Sequence, residues 1–520
     1  MSRTTPRRRS RGALAVALAA SLFLSACGGS TDSQDKAQAP AKPGQKVDLR
    51  FWSWVPGVDK AVDKWNATHP DIHVKLEKIP AGSSGGYAKM RAALKSGNAP
   101  DLAQVEYQDK AQAPAKPGQK VDLRFWSWVP GVDKAVDKWN ATHPDIHVKL
   151  EKIPAGSSGG YAKMRAALKS GNAPDLAQVE YQEIPSFLLE NGLVNLSQYG
   201  ADKDRSKFVD WQWQQGVFDK AVYAIPQASG PMGLFYRSDL YKKWGIDPPA
   251  TWEEFAQAAQ KIHDANPKAY ISTFPAGNSA WFTALAWQAG AKWFGVNGDT
   301  WSVNIDSPQT LKVAAFWDDL RSKKVIKSEP DFANGWYKDL QSGAITSWVS
   351  AQWGDAIISG NAPKTTGKWA VAPMPQWTKG SKVSANWGGS STAVLKGAKH
   401  IPEALKFAEW LNTDPASVDL LLQGGYGWPA AADGYKGSSL DKPSPFFGGQ
   451  KYNEVFAQAD KSIDNSWKWI PTIDATYQHL NDGFQAALAG KGTFVSAVRQ
   501  AQKQTVEDLK RKGLKVSTGQ

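Results

Sequence analysis

VDLRFWSWVPGVDKAVDKWNATHPDIHVKLEKIPAGSSGGYAKMRAALKSGNAPDLAQVEYQ, residues 121–182, alternates strand and helix patterns twice and closes on a third strand. Val121-Asp122-Leu123-Arg124-Phe125-Trp126 reads as a strand. Residues 132–140 read as a helix, because Val132, Ala135, Val136 and Trp139 fall on one face at helical spacing. Ile146-His147-Val148-Lys149-Leu150 alternates as a strand, residues 161–169 are helical, and residues 176–181 form the third strand. A βαβαβ run builds one half of a parallel sheet layer, so the fold class is α/β.

The same stretch stands at 47–108. Residues 35–108 and 109–182 are one 74-residue sequence written twice without a difference, and removing one copy from the 520-residue chain leaves 446. A solenoid needs three or more repeats, and nothing downstream resembles this unit. The chain therefore reads as an ordinary protein carrying one segment too many. Copy two runs directly from Gln182 into Glu183-Ile184-Pro185, whereas copy one runs into a second tether-like stretch. If copy one filled the fold, the 74 residues of copy two would loop out at a tight junction. Loop closure costs only about 0.6 kcal/mol per doubling of length, but opening a tight junction costs more. Residues 121–182 are thus expected to build the fold, with 47–108 a surplus duplicate and 109–120 a duplicated linker.

Residues 1–26 have the form of a secretory signal. Arg3, Arg7, Arg8, Arg9 and Arg11 charge its start, and residues 13–24 are apolar but short for a membrane span. It ends Leu24-Ser25-Ala26-Cys27-Gly28, which resembles a bacterial lipobox with Cys27 as the lipidated residue. Cys27 is the only cysteine in the chain, so disulfides and cysteine-built metal sites are excluded. Residues 27–46 are rich in Gly, Ser, Gln, Ala, Lys and Pro, have no apolar periodicity, and read as a solvated tether. The expected location is the outer face of the cytoplasmic membrane, held by lipid. The net charge of +13 falls to +8 without the five signal arginines, and to about +5 with a single copy. That balance does not call for a nucleic-acid partner.

The alternation continues. Residues 222–225 and 232–236 read as strands. Thr251-Trp252-Glu253-Glu254 is a capping box, and Ser307-Pro308 opens another helix. Strand-like runs follow at 344–349, 369–372 and 392–395, and helices at 401–411, 474–489 and 493–512.

From Asp175 to about Pro429 the chain resembles the extracellular solute-binding proteins of carbohydrate ABC transporters, the maltose-binding-protein-like family 1. The segments that carry the likeness are Pro174-Asp175-Leu176-Ala177-Gln178, Ile184-Pro185 with Leu193-Val194-Asn195-Leu196, and Ala224-Ile225-Pro226-Gln227 through Gly230-Pro231. Leu234-Phe235-Tyr236-Arg237 with Asp239-Leu240, Thr251-Trp252-Glu253-Glu254-Phe255 and Trp387-Gly388-Gly389-Ser390 complete them. The specificity lies in their order and spacing behind a lipobox. The resemblance implies two α/β lobes around a hinge. The first would take residues 121–227 with about 389–445, the second about 228–388 with 446–520. Crossings would lie near 227–231, 387–391 and 440–450. It further implies a sugar ligand in the cleft, ABC permease subunits as partners, no cofactor, no catalysis and a monomeric chain.

Composition points the same way. There are 25 tryptophans, three of them in the extra copy. A pyranose face of C–H groups stacks on an indole while placed polar groups orient its hydroxyls; several tryptophans in succession favour an oligosaccharide. Trp139, Trp252, Trp317 and Trp410 sit at apolar helical positions and read as core. The ligand candidates stand at strand ends or among Gly, Ser and Asn: Trp126, Trp128, Trp281, Trp353, Trp387 beside Gly388, and Trp467. Glu180 and Tyr181 end the third strand, and a carboxylate there can accept two neighbouring hydroxyls. Gln227 and Asn278 are amides that donate and accept. His263, His400 and His479 lack metal spacing, and neither a nucleophile elbow nor a phosphate loop is present. A sensor module with the same fold is the nearest rival reading; a hydrolase would need a carboxylate pair that no segment resembles.

Overall fold

The computed structural model describes residues 45–80, 86–105, 112–116, 118–297 and 300–518. The signal segment 1–26, Cys27 and the tether up to residue 44 lie outside the described residues. The chain divides into two compact units, Met1–Asp109 and Lys110–Gln520.

In the first unit the period-two and helical patterns form β1 (Val47–Ser53), α1 (Val58–Thr68), β2 (Ile72–Lys78), α2 (Gly86–Lys95) and β3 (Leu102–Ala103). The strands make a parallel sheet in the order β2-β1-β3. Its buried hydrophobic cluster comprises Trp52, Ile79, Met90 and Ala93, and α1 has no buried residue.

The identical residues of the second unit form β4 (Val121–Ser127), α3 (Val132–Thr142), β5 (Ile146–Lys152), α4 (Gly160–Ser170) and β6 (Leu176–Glu180). Here Val132, Ala135, Val136 and Trp139 are all buried. The Trp139 ring meets Phe407 and Trp410 edge-on at 5.3 and 5.2 Å. These strands belong to a six-stranded sheet in the order Trp428–Pro429, Ala224–Ser229, Ser390–Val394, β6, β4, β5. Ser390–Val394 runs antiparallel to both its neighbours. The same sequence thus forms the same order of elements twice, with β3 shorter than its twin β6, and burial depends on what surrounds it.

A second, antiparallel sheet carries Met232–Arg237 between Ser347–Ala351 and Trp369–Pro373. The chain passes from one sheet to the other at Gly230-Pro231 and returns before Ser390. It passes again after Trp428–Pro429, because the helix Asn453–Asp460 packs on the second sheet. A small third sheet joins Phe294–Asn297, Thr300–Val303 and Lys515–Thr518. Thr251 and Glu254 form the reciprocal capping box, and Ser307 caps the helix Pro308–Ser322. The strand expected at 222–225 is split. Val222 pairs back on Val217 through a turn in which Asp219 and Lys220 both have positive φ, so the sheet strand starts only at Ala224.

Candidate functional site

The crossings between the two sheets gather the densest set of candidate residues. Trp353 follows the strand Ser347–Ala351 and is half-buried; Trp387 precedes Ser390–Val394 and is buried. The Trp353 indole N–H donates to the Trp387 carbonyl oxygen at 3.1 Å, and the two rings lie 4.6 Å apart. Three glycines border the Trp353 edge. A Cβ on Gly230 would come within 2.9 Å of Trp353 Nε1, one on Gly388 within 3.5 Å, and one on Gly427 within 3.8 Å of Trp353 Cδ1. A side chain at Gly230 would push the ring away, whereas Gly388 and Gly427 stand at ordinary contact distance and are favoured by their positive φ of 81 and 116. Asn386 holds this turn by donating to the Gly388 carbonyl and accepting from the Gly230 amide.

Beside it, on the six-stranded sheet, lie Tyr181, Gln227, Ser229 and Ser390. Gln227 Oε1 accepts from Ser390 Oγ at 3.1 Å. Gln227 Nε2 and Ser229 Oγ are buried without a hydrogen-bond partner. Buried polar atoms are nearly always paired, so each of these two is able to take an outside polar group. The ring of Tyr181 packs against Gly389, where a Cβ would sit 3.0 Å from Tyr181 Cε2.

A second cluster stands at the C-terminal ends of β4 and β6. Glu180 accepts from the Tyr161 hydroxyl at 2.7 Å, and Trp128 meets the Tyr161 ring edge-on at 5.9 Å. Burial pushes the Glu180 carboxyl above the usual range, while the Tyr161 hydrogen bond opposes that shift. Lys163 Nζ lies 4.3 Å from the Trp126 ring centre, on the flank of this group. Below it, buried Glu183 pairs with Arg165 at 2.9 Å. Burial first, and Asp474 second, raise the Glu183 carboxyl, while its pairing with Arg165 opposes that shift.

Other candidates stand apart from these two clusters. Trp281 is buried in an aromatic core with Phe274 and Trp317, and its N–H donates to the Val349 carbonyl at 2.9 Å. Asn278 caps the helix Ser279–Gln288 and donates to Asp331 at 2.6 Å. Trp467 is buried and stacks on Trp287 at 4.8 Å. Tyr161 and Phe332, which the sequence reading did not select, belong to these clusters, and Trp211 with Asp460 lies beside Trp287. Phe332 has φ +60 and lies 6.3 Å from both Trp353 and Trp387. Asp460 accepts from Trp211 Nε1 at 3.0 Å, and burial pushes its carboxyl up to about 6. Tyr161 alone had a local signal, the run Gly156-Ser157-Ser158-Gly159-Gly160 ahead of it; a Cβ on Gly156 would lie 2.2 Å from its ring. Among the described residues no group of His, Cys, Asp and Glu is placed to hold a metal ion.

Aromatic rings and amides thus meet where the chain crosses between its two sheets. Residues 51–133 and 125–418 match the family profile of the bacterial extracellular solute-binding proteins, and the chain belongs to that family. It is a solute-binding protein and not an enzyme. It is 26% identical over 301 residues to the arabinooligosaccharide-binding protein of Bacillus subtilis, covering 55% of this chain and 68% of that protein. It is 25% identical over 355 residues to the lactose-binding protein of Rhizobium radiobacter, covering 65% and 81%. The solved galacto-N-biose/lacto-N-biose I-binding protein of an ABC transporter from Bifidobacterium longum superposes with TM-score 0.71 at 29% identity, over 77% of this chain and all of the other.

Proposed function

We propose that this chain captures an oligosaccharide outside the cell and delivers it to an ABC importer, held at the membrane by lipid on Cys27. The observation that carries the ligand class is the Trp353–Trp387 pair, set where the chain crosses between its two sheets and bordered by the unpartnered Gln227 Nε2 and Ser229 Oγ. Indole faces take the C–H face of a sugar ring, and the amide and hydroxyl take its rim. Relatives named for arabinooligosaccharide, lactose and lacto-N-biose support this reading.

In this proposal the bodies built on the six-stranded and three-stranded sheets are two lobes, divided as 121–227 with about 389–445 and about 228–388 with 446–520. Copy two completes the first lobe, and residues 47–108 are surplus. Sugar binds both lobes only when they close, so it shifts an open–closed equilibrium, and the closed form docks on the permease. The test is a thermal-shift screen of arabino-, galacto- and malto-oligosaccharides, with product analysis and small-angle scattering of the best ligand. A ligand that raises the melting temperature, is recovered intact and reduces the radius of gyration supports the proposal. Turnover, or an unchanged radius at saturation, overturns the capture mechanism.

A further inference from the structure

The chain contains the βαβαβ unit twice, but among the described residues only one surface completes it. In the second unit that surface is the strand Ser390–Val394 with Phe407 and Trp410. β6 lies antiparallel on the strand, with Leu176 opposite Val394, Ala177 opposite Ala393 and Gln178 opposite Thr392. The corresponding strand of the first unit, β3, pairs with β1 on one side and ends the sheet on the other. The effect on identical residues is large. Leu176 and Val179 are fully buried, whereas their twins Leu102 and Val105 are 48% and 66% exposed.

Exchange between chains cannot remove this surface. With two units and one completing surface per chain, one unit is left over whichever copy is used and whichever chain supplies it. The surface is reduced only when one leftover unit meets another. The two edges of the first unit are not equal in this respect. β2 presents His73, Lys75, Glu77 and Lys78, and its twin β5 is also an outer strand, so that edge is built to stay unpaired. The β3 edge, Leu102-Ala103, and the Gln104-Val105 that follow it have no charge, and the twin β6 takes an antiparallel partner.

We propose that two chains associate through this edge, their β3 segments pairing antiparallel about a twofold axis to join two three-stranded sheets into one of six strands. An antiparallel pair of identical strands is self-complementary and closes at two. The hydrogen-bonding direction is already set. Gln104 N–H donates inward to the Trp52 carbonyl at 2.8 Å, so strand alternation turns the Ala103 amide outward.

The experiment is sedimentation equilibrium of the mature full chain, of a chain lacking residues 35–108, and of the full-chain variants Ala103→Pro and Val105→Lys. The proline removes an outward amide without touching the β1 ladder, and the lysine puts a charge on the edge. The full chain should be a dimer and the deleted chain a monomer. Each substitution should weaken the dimer by about tenfold or more. Circular dichroism and the main unfolding transition should stay unchanged, because the second unit is untouched. A monomeric full chain at high micromolar concentration, a dimer that survives the deletion, or one indifferent to both substitutions overturns the proposal.

Discussion

Trp353 donates its indole N–H to the backbone carbonyl of Trp387, joining the end of a strand of the three-stranded sheet to the segment that leads back into the six-stranded sheet. The bond orients one candidate ligand-binding ring against another, and it needs the nitrogen of tryptophan. Trp353→Phe keeps an aromatic face but leaves the carbonyl without its donor. We expect oligosaccharide affinity to fall by about tenfold, ~1.4 kcal/mol, as measured by calorimetry. The control is Trp281→Phe. That ring is buried in the aromatic core, so its loss should lower the melting temperature and leave affinity nearly unchanged. Equal affinity in Trp353→Phe and the parent would remove Trp353 from the site.

The duplicated tryptophans provide a stability test that sequence alone cannot bias. Trp65 and Trp139 have identical neighbours in the chain, but Trp65 is 40% exposed and Trp139 is fully buried. Truncating a fully buried tryptophan costs about 3–5 kcal/mol, so Trp139→Ala should produce a large shift in the urea midpoint. Trp65→Ala should change the same transition by less than ~1 kcal/mol. If Trp65→Ala were the more damaging change, copy one would be the unit that completes the fold.

Much of the fold was legible because strand and helix periods are written in local sequence. The capping residues Thr251 and Ser307 act on their own helices, so they read correctly without a fold. The three crossings followed from the family resemblance. The site was less legible. Trp353 and Trp387 could be picked from their glycine surroundings, but Trp281 follows Gly277-Asn278-Ser279 and Trp467 follows Asn465-Ser466, and both lie buried in aromatic cores. The sequence marks where a tryptophan stands in an element, not which face another element covers. Asp460 and Trp211 lie 249 residues apart and meet only through tertiary packing, so neither carried a local signal.

A pH effect is expected of the Asp355 carboxyl. Asp355 accepts from the Tyr452 hydroxyl and from Gln352 Nε2, and burial pushes its carboxyl up from 3.8 to about 6. Between those values the native chain holds a proton that the unfolded chain has lost. The stability this provides is complete below pH 3.8 and is lost as pH rises through about 6. Asp355→Asn keeps the neutral shape at every pH. The stability of the variant relative to the parent should therefore improve by the order of 2 kcal/mol between acid and neutral pH. Urea titrations at both pH values measure this difference, and a pH-independent gap would contradict it.

Phe332 sets strain against proposed function. Its backbone sits at φ +60, an outlier for an aromatic residue, and its ring is 39% exposed at the edge of the Trp348, Trp353 and Trp387 group. The preceding Asp331 is tied to Asn278 at 2.6 Å, which fixes the loop in place. Strain of this kind costs about 1–3 kcal/mol and persists where the surroundings enforce it, often at ligand sites. Phe332→Gly relieves the backbone and removes the ring. The relief should roughly offset the lost packing, leaving stability within ~1 kcal/mol of the parent. Affinity should fall about tenfold, since a stacked aromatic contributes about 0.5–1.5 kcal/mol beyond its buried area. The loss should be greater for a trisaccharide than for a monosaccharide, because a ring at the rim meets only the longer ligand. Were Phe332 packing alone, the glycine would lower stability and spare affinity for both sugars.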